Sequence, residues 1–170
     1  MSKVWYGNLS NRLEEGKNFS GHEISIGDDI TMYYYSDRTC YYVTEIVSRK
    51  PLKIKVRRWY TCADHSKAGG MGHQDWMYFK TLDAMNKYLS GFFPERYNTD
   101  EHREEPEAST WVFRYNKWME EIRINRMPYP EDCTKREREH FEKYGWYNHY
   151  HDLPGRVSFG VRNYHYDWEF

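Results

Sequence analysis

Tyr41-Tyr42-Val43-Thr44-Glu45-Ile46-Val47-Ser48-Arg49-Lys50-Pro51-Leu52-Lys53-Ile54-Lys55-Val56-Arg57-Arg58-Trp59-Tyr60-Thr61-Cys62 is the stretch on which the reading of the fold turns. Its pattern repeats every second residue, the period of a strand whose successive side chains face opposite ways. Tyr41, Val43, Glu45 and Val47 alternate with Tyr42, Thr44 and Ile46, and Arg49-Lys50-Pro51 carries turn chemistry. From Leu52 to Cys62 a further strand is predicted, with Leu52, Ile54 and Val56 on one face and Lys53, Lys55, Arg57 and Trp59 on the other. Upstream, Ile30, Met32 and Tyr34 share a face of an earlier strand, and Ser36-Asp37-Arg38 turns the chain. Three strands joined by short turns predict a β-meander.

Working outward, residues 1–21 are polar, with Trp5, Tyr6, Leu9 and Leu13 as docking points for a short helix around Asn8 to Glu15. Gly69-Gly70-Met71-Gly72 marks a loop, and Gln74 to Phe79 resumes as a strand. Thr81 caps a predicted helix over Leu82 to Ser90 that stops at Gly91. Asn98 to Ser109 is almost wholly polar and reads as a mobile surface loop. Thr110 to Trp118 gives a strand and tight turn continuing toward Ile124, and Thr134 opens a charged helix ending near Gly145. Gly155 to Phe170 supplies the last strand or two. Its rings Tyr164, Tyr166, Trp168 and Phe170 argue for an end that is ordered, buried and built into the fold.

The chain has 170 residues, the length of one domain with a core of useful size. Its apolar fraction of 39% would suit a disordered chain, but 19% aromatic residues do not, because rings bury much area per residue. A formal net charge of -1 supplies no global field toward nucleic acid or an anionic membrane, so any anion site is local. Cys40, Cys62 and Cys133 form neither a disulfide framework nor a CxxC metal pattern, which favours a reduced, cytoplasmic setting. No apolar run approaches the ~20 residues of a membrane span, so neither secretion nor membrane insertion is expected.

The order of several short blocks resembles a family of small uncharacterised proteins of bacteriophages and prophages. The blocks are Ile26-Gly27-Asp28-Asp29 with Tyr34-Tyr35-Ser36-Asp37-Arg38, Gly70-Met71-Gly72 with Gln74, Phe113-Arg114-Tyr115-Asn116-Lys117-Trp118, and Gly160-Val161-Arg162 with Tyr164, Tyr166, Asp167 and Phe170. This chain has Gly72 where the family shows Ser, and Asn116-Lys117 makes the hairpin turn without the family's Gly. The resemblance implies a viral origin, a compact β-domain and a site in the cytoplasm of an infected bacterium, but no reaction. On it, residues 80–109 and 123–154 are insertions within one domain spanning 1–170. The fold expected is α+β and mainly β: a small SH3-like barrel or bent antiparallel sheet carrying two inserted helical segments.

Arginines and rings are the candidate chemistry. Arg38, Arg57 and Arg162, with Trp59, Tyr164 and Tyr166, are read as lining one site in which a guanidinium pairs with phosphate while a ring stacks on a base. Alternation with polar residues outward is also what any half-exposed strand shows, and Asp37 can simply cap its turn and pair with Arg38. His149, His151 and Asp152, with His165 and Asp167, suggest a three-ligand metal set, but their spacing is unspecific and no metal or cofactor is assigned. Neither a phosphate-binding loop nor a nucleophile elbow is present. A non-catalytic binding protein that interferes with a host defence system, capturing a nucleotide or nucleic acid, is the leading expectation. A protein–protein inhibitor of a host enzyme is the alternative, and a metal-dependent hydrolase or nuclease a third.

Overall fold

A computed structural model describes residues 23–34, 36–67, 75–97, 104–126 and 133–164. Among the described residues the first elements are β1 (Asp29–Tyr33), β2 (Arg38–Arg49) and β3 (Leu52–Arg58), successive antiparallel neighbours in keeping with the period-two pattern. Leu52, Ile54 and Val56 are buried while Lys53, Lys55 and Arg57 face outward in part, so one face of β3 builds the core. There follow β4 (Tyr60–Ala63), β5 (Trp76–Phe79), α1 (Leu82–Ser90), β6 (Ser109–Arg114), β7 (Lys117–Ile124), α2 (Lys135–Tyr144), β8 (Tyr147–Asp152) and β9 (Arg156–Phe159). The protein is mainly β: among the described residues seven strands form one antiparallel sheet ordered β8-β7-β6-β3-β2-β1-β9, with β4-β5 apart as a ribbon.

The large sheet bends around its own core. Register shifts between Val43 and Glu45 and between Ile46 and Ser48 mark bulges that sharpen the bend. It curls until Trp118 of β7 meets Phe159 of β9, ring centres 5.1 Å apart, although the two strands lie near opposite edges. Among the described residues no ladder joins β8 to β9, so the expected alternative of a closed SH3-like barrel is replaced by the bent sheet. No helix among the described residues is long and apolar enough to cross a membrane.

Several boundaries differ from the sequence reading. The third strand does not run to Cys62, because the next core-facing position after Val56 is Arg58, which is exposed and cannot extend an apolar face. The chain therefore leaves the sheet at Trp59, whose N–H donates to the Cys40 carbonyl (2.9 Å), and Tyr60–Ala63 pairs with β5 instead. Arg38 lies in β2 rather than in the preceding turn. The β6–β7 turn falls on Tyr115 and Asn116, with φ of 51° and 61°, because Lys117 already pairs with Arg114 in the ladder.

The stretch 123–154 contributes β8, an edge strand paired with β7 from Met119↔Asp152 to Ile124↔Tyr147. The second half of the presumed mobile loop is tied down. Glu105 accepts from the Tyr60 hydroxyl (2.6 Å) and from Leu82 N–H at the start of α1 (2.8 Å), and Ser109 opens β6. The short N-terminal helix, residues 98–103, the glycine loop and residues 165–170 with Tyr166 lie outside the described residues.

Candidate ligand-binding site

Asp29, Tyr42 and Arg57 are register partners across β1, β2 and β3 and so share one face, the one opposite the core. Trp59 lies just past the end of β3. Its indole N–H donates to Asp29 Oδ1 (3.0 Å), and its ring packs at 4.8 Å on Tyr42, inclined by 50°. From β5, Tyr78 approaches Trp59 edge-on at 6.4 Å. The chain beyond β9 then delivers a cation: Arg162 lays its guanidinium 4.5 Å from the Tyr78 ring centre and 4.8 Å from that of Trp59. Lys80 adds a second, 5.3 Å from Tyr42 and 5.9 Å from Trp59.

Local bonds fix this convergence. After β9, Gly160 N–H donates to the Asp29 carbonyl (2.7 Å), the Thr31 hydroxyl donates to the Val161 carbonyl (2.7 Å), and Asn163 N–H returns a bond to that hydroxyl (3.2 Å). Arg162 is thereby held over the rings by backbone anchored on both sides. Tyr164 N–H donates to the Tyr78 hydroxyl (2.9 Å), and the Tyr164 ring stands edge-on to Trp76 at 4.5 Å.

Beside the stack opens a cavity of about 210 Å³ lined by Arg57, Arg58, Lys80, Tyr60, Glu105 and Glu107, among others. Arg57 and Lys80 link the two features, so rings and cations form one continuous surface. Among the described residues neither Arg162 nor Lys80 has a carboxylate at ion-pair distance. Burial raises the hydroxyl pKa of Tyr42 and of Tyr78, so near neutral pH both are uncharged donors. Burial and the Glu105 carboxylate push Tyr60 up to about 12. Cys40 and Cys62 are each pushed by burial up to about 11, so neither offers a thiolate near neutral pH. The arrangement can hold a flat ring and an anion side by side.

Of the residues read from the sequence, Trp59 and Arg162 meet directly, Tyr164 joins through Tyr78, and Arg57 lies at the rim. Arg38 does not share in the stack. Its guanidinium lies 5.5 Å from the ring of Tyr33, its partner across the β1–β2 turn. Tyr166 is outside the described residues. Sequence reasoning missed Tyr42, Tyr78 and Lys80. Tyr42 had a signal, since its strand phase sets it beside Arg57, whereas Tyr78 and Lys80 arrive through the folding back of β5, which no local pattern announces.

His149 and His151 do share a face of β8, their rings 6.1 Å apart, but they turn to different partners. His149 Nδ1 lies 3.4 Å from Glu137, His151 Nε2 lies 3.1 Å from Glu120, and Asp152 pairs with Lys117 at 2.6 Å. Among the described residues no three His, Cys, Asp or Glu side chains converge to hold a metal. No family model, no curated protein and no solved structure matches the chain.

Proposed function

We propose that this is a non-catalytic binding protein of bacteriophage origin that acts in the host cytoplasm and interferes with a defence system by capturing a nucleotide or nucleic-acid ligand. The observation that carries the ligand is the Arg162–Trp59–Tyr78 stack flanked by Lys80 and Arg57. A base stacked on Trp59 and Tyr42 gains ~1–3 kcal/mol, and the adjoining guanidinium is matched to phosphate in charge and geometry. The viral setting rests on the order of sequence blocks alone.

Calorimetry against mono-, di- and cyclic nucleotides and short single strands tests the ligand. Arg162→Ala and Trp59→Ala are each expected to weaken binding about tenfold or more, while Arg38→Ala leaves it unchanged. The loss of affinity with added salt should be smaller in Arg162→Ala than in the parent protein. Binding no tighter than millimolar by the parent protein would remove nucleotides from consideration.

A second reading, direct inhibition of a host enzyme, is favoured by the aromatic shelf after α1. Phe92 and Phe93 are each 43% exposed and flank the His65 ring at 5.6 and 5.0 Å. Rings of this kind are common anchors at protein interfaces. A host protein recovered in stoichiometric amount by the parent protein but not by a Phe92→Ser, Phe93→Ser variant would support that reading.

A further inference from the structure

A second cavity, of about 540 Å³, opens between α2 and the β6–β7–β8 edge of the sheet. Its volume falls within the ~300–1,000 Å³ usual for small-molecule sites. Its walls include Arg114, Tyr115, Arg136, His140, Trp146 and Tyr150. Arg114 holds its guanidinium 4.4 Å from the Tyr150 ring centre and 5.4 Å from that of Tyr115. Among the described residues neither Arg114 nor Arg136 has a carboxylate at ion-pair distance. Among the described residues the one carboxylate in the lining, Glu137, is engaged elsewhere: Oε2 accepts from Thr134 N–H (2.6 Å) and Oε1 faces His149 Nδ1 (3.4 Å). His140 Nδ1 lies 2.6 Å from the Trp146 carbonyl, which only accepts, so this nitrogen carries the hydrogen and the ring is fixed at the wall.

Tyr115 is the informative residue. It sits at φ 51° in a two-residue hairpin turn, where Asn and Gly are the residues that fit. The residue is 80% exposed, so burial does not offset the backbone strain. A bulky ring kept at a strained position without core packing, on the wall of a cavity and beside a stacked arginine, has the character of a ligand contact. We infer that this cavity is a second binding site, for a small planar aromatic anion: a ring bearing a carboxylate or a phosphate. The ring is taken between Tyr115 and the aromatic wall, and the anion by Arg114 and Arg136. The inference does not depend on the nucleotide reading of the first site.

Benzoate and phenyl phosphate are suitable probes, followed by NMR on the full chain through the Trp146 indole N–H and the backbone amides of the β6–β7 turn. Saturable shifts with either probe are expected, and the probe that saturates at the lower concentration identifies the anion. Arg114→Ala should weaken saturation about tenfold or more, while Arg162→Ala, at the first site, leaves it unchanged. Tyr115→Gly should lose binding yet raise the unfolding midpoint, because glycine accepts the left-handed backbone. The inference falls if neither probe saturates below 10 mM (roughly 3 kcal/mol of binding). It falls equally if Arg162→Ala abolishes the shifts, or if Tyr115→Gly binds like the parent or lowers the midpoint.

Discussion

Two tyrosine hydroxyls give this molecule a pH dependence at alkaline pH. Tyr60 is pushed up to about 12 by burial and by donating to Glu105, and Tyr150 up to about 12 by burial and by Glu121. In an unfolded chain tyrosine titrates near ~10, so the folded state holds these protons more tightly. The resulting stability is complete below about pH 10 and is lost as pH rises through about 12. Unfolding free energy should therefore fall across that window, and less steeply in Glu105→Gln, whose amide no longer raises Tyr60. Urea denaturation at stepped alkaline pH reads both slopes; equal slopes would show that Glu105 does not govern the proton on Tyr60. At this scale the sequence reveals residue types but not their neighbours. Trp59 and Arg162 stand out as a ring and a cation in suggestive blocks, whereas nothing local shows that Arg38 pairs with Tyr33.

Elements were legible where their signals are local. Thr81 accepts from Ala84 N–H and opens α1, and Thr134 with Glu137 forms a complete capping box at the start of α2. Gly145 ends α2 at φ 76°, as a left-handed cap requires. β8 is not legible as an element because Tyr147-Asn148-His149-Tyr150-His151-Asp152 shows no apolar alternation. Its inward residues, Tyr147 and His149, are buried by α2, and that is a tertiary fact. Two substitutions test the caps by chemical denaturation. Thr134→Ala should cost about 1 kcal/mol through loss of the box. Gly145→Ala should cost about 1 kcal/mol for conformation alone, because an added Cβ there meets nothing within 4 Å. A much larger loss in Gly145→Ala would point to a steric clash instead.

At the scale of the whole molecule, a mainly antiparallel sheet follows from period-two patterning, but whether it closes does not. Closure depends on bulges, register and the meeting of side chains remote in sequence. Trp118 and Phe159 are 8% and 0% exposed and hold the two flanks of the bent sheet together. Phe159→Ala should cost roughly 3–5 kcal/mol, and Trp118→Ala a similar amount, with the two losses in the double variant less than additive because each ring covers the other. Thermal or urea unfolding of the two single variants and the double variant measures that coupling; strict additivity would show that the contact does not join the flanks. Gly155, between β8 and β9, belongs to the same closure. A Cβ there would clash with the Tyr33 carbonyl oxygen, so this connection can approach β1 only through glycine.

The pairing of Ile30 with Phe159 and of Tyr33 with Arg156 also sets an order of events at the ribosome. β1 and β2 can form a hairpin as soon as they emerge, but the outer edge of β1 waits for a partner roughly 125 residues downstream, on the order of 6 to 25 s at ordinary elongation rates. During that interval a nascent chain presents an open strand edge to every other chain nearby. Slow translation of the second half of the message would prolong that exposure, and a chaperone that shields strand edges would matter most before β9 has been made.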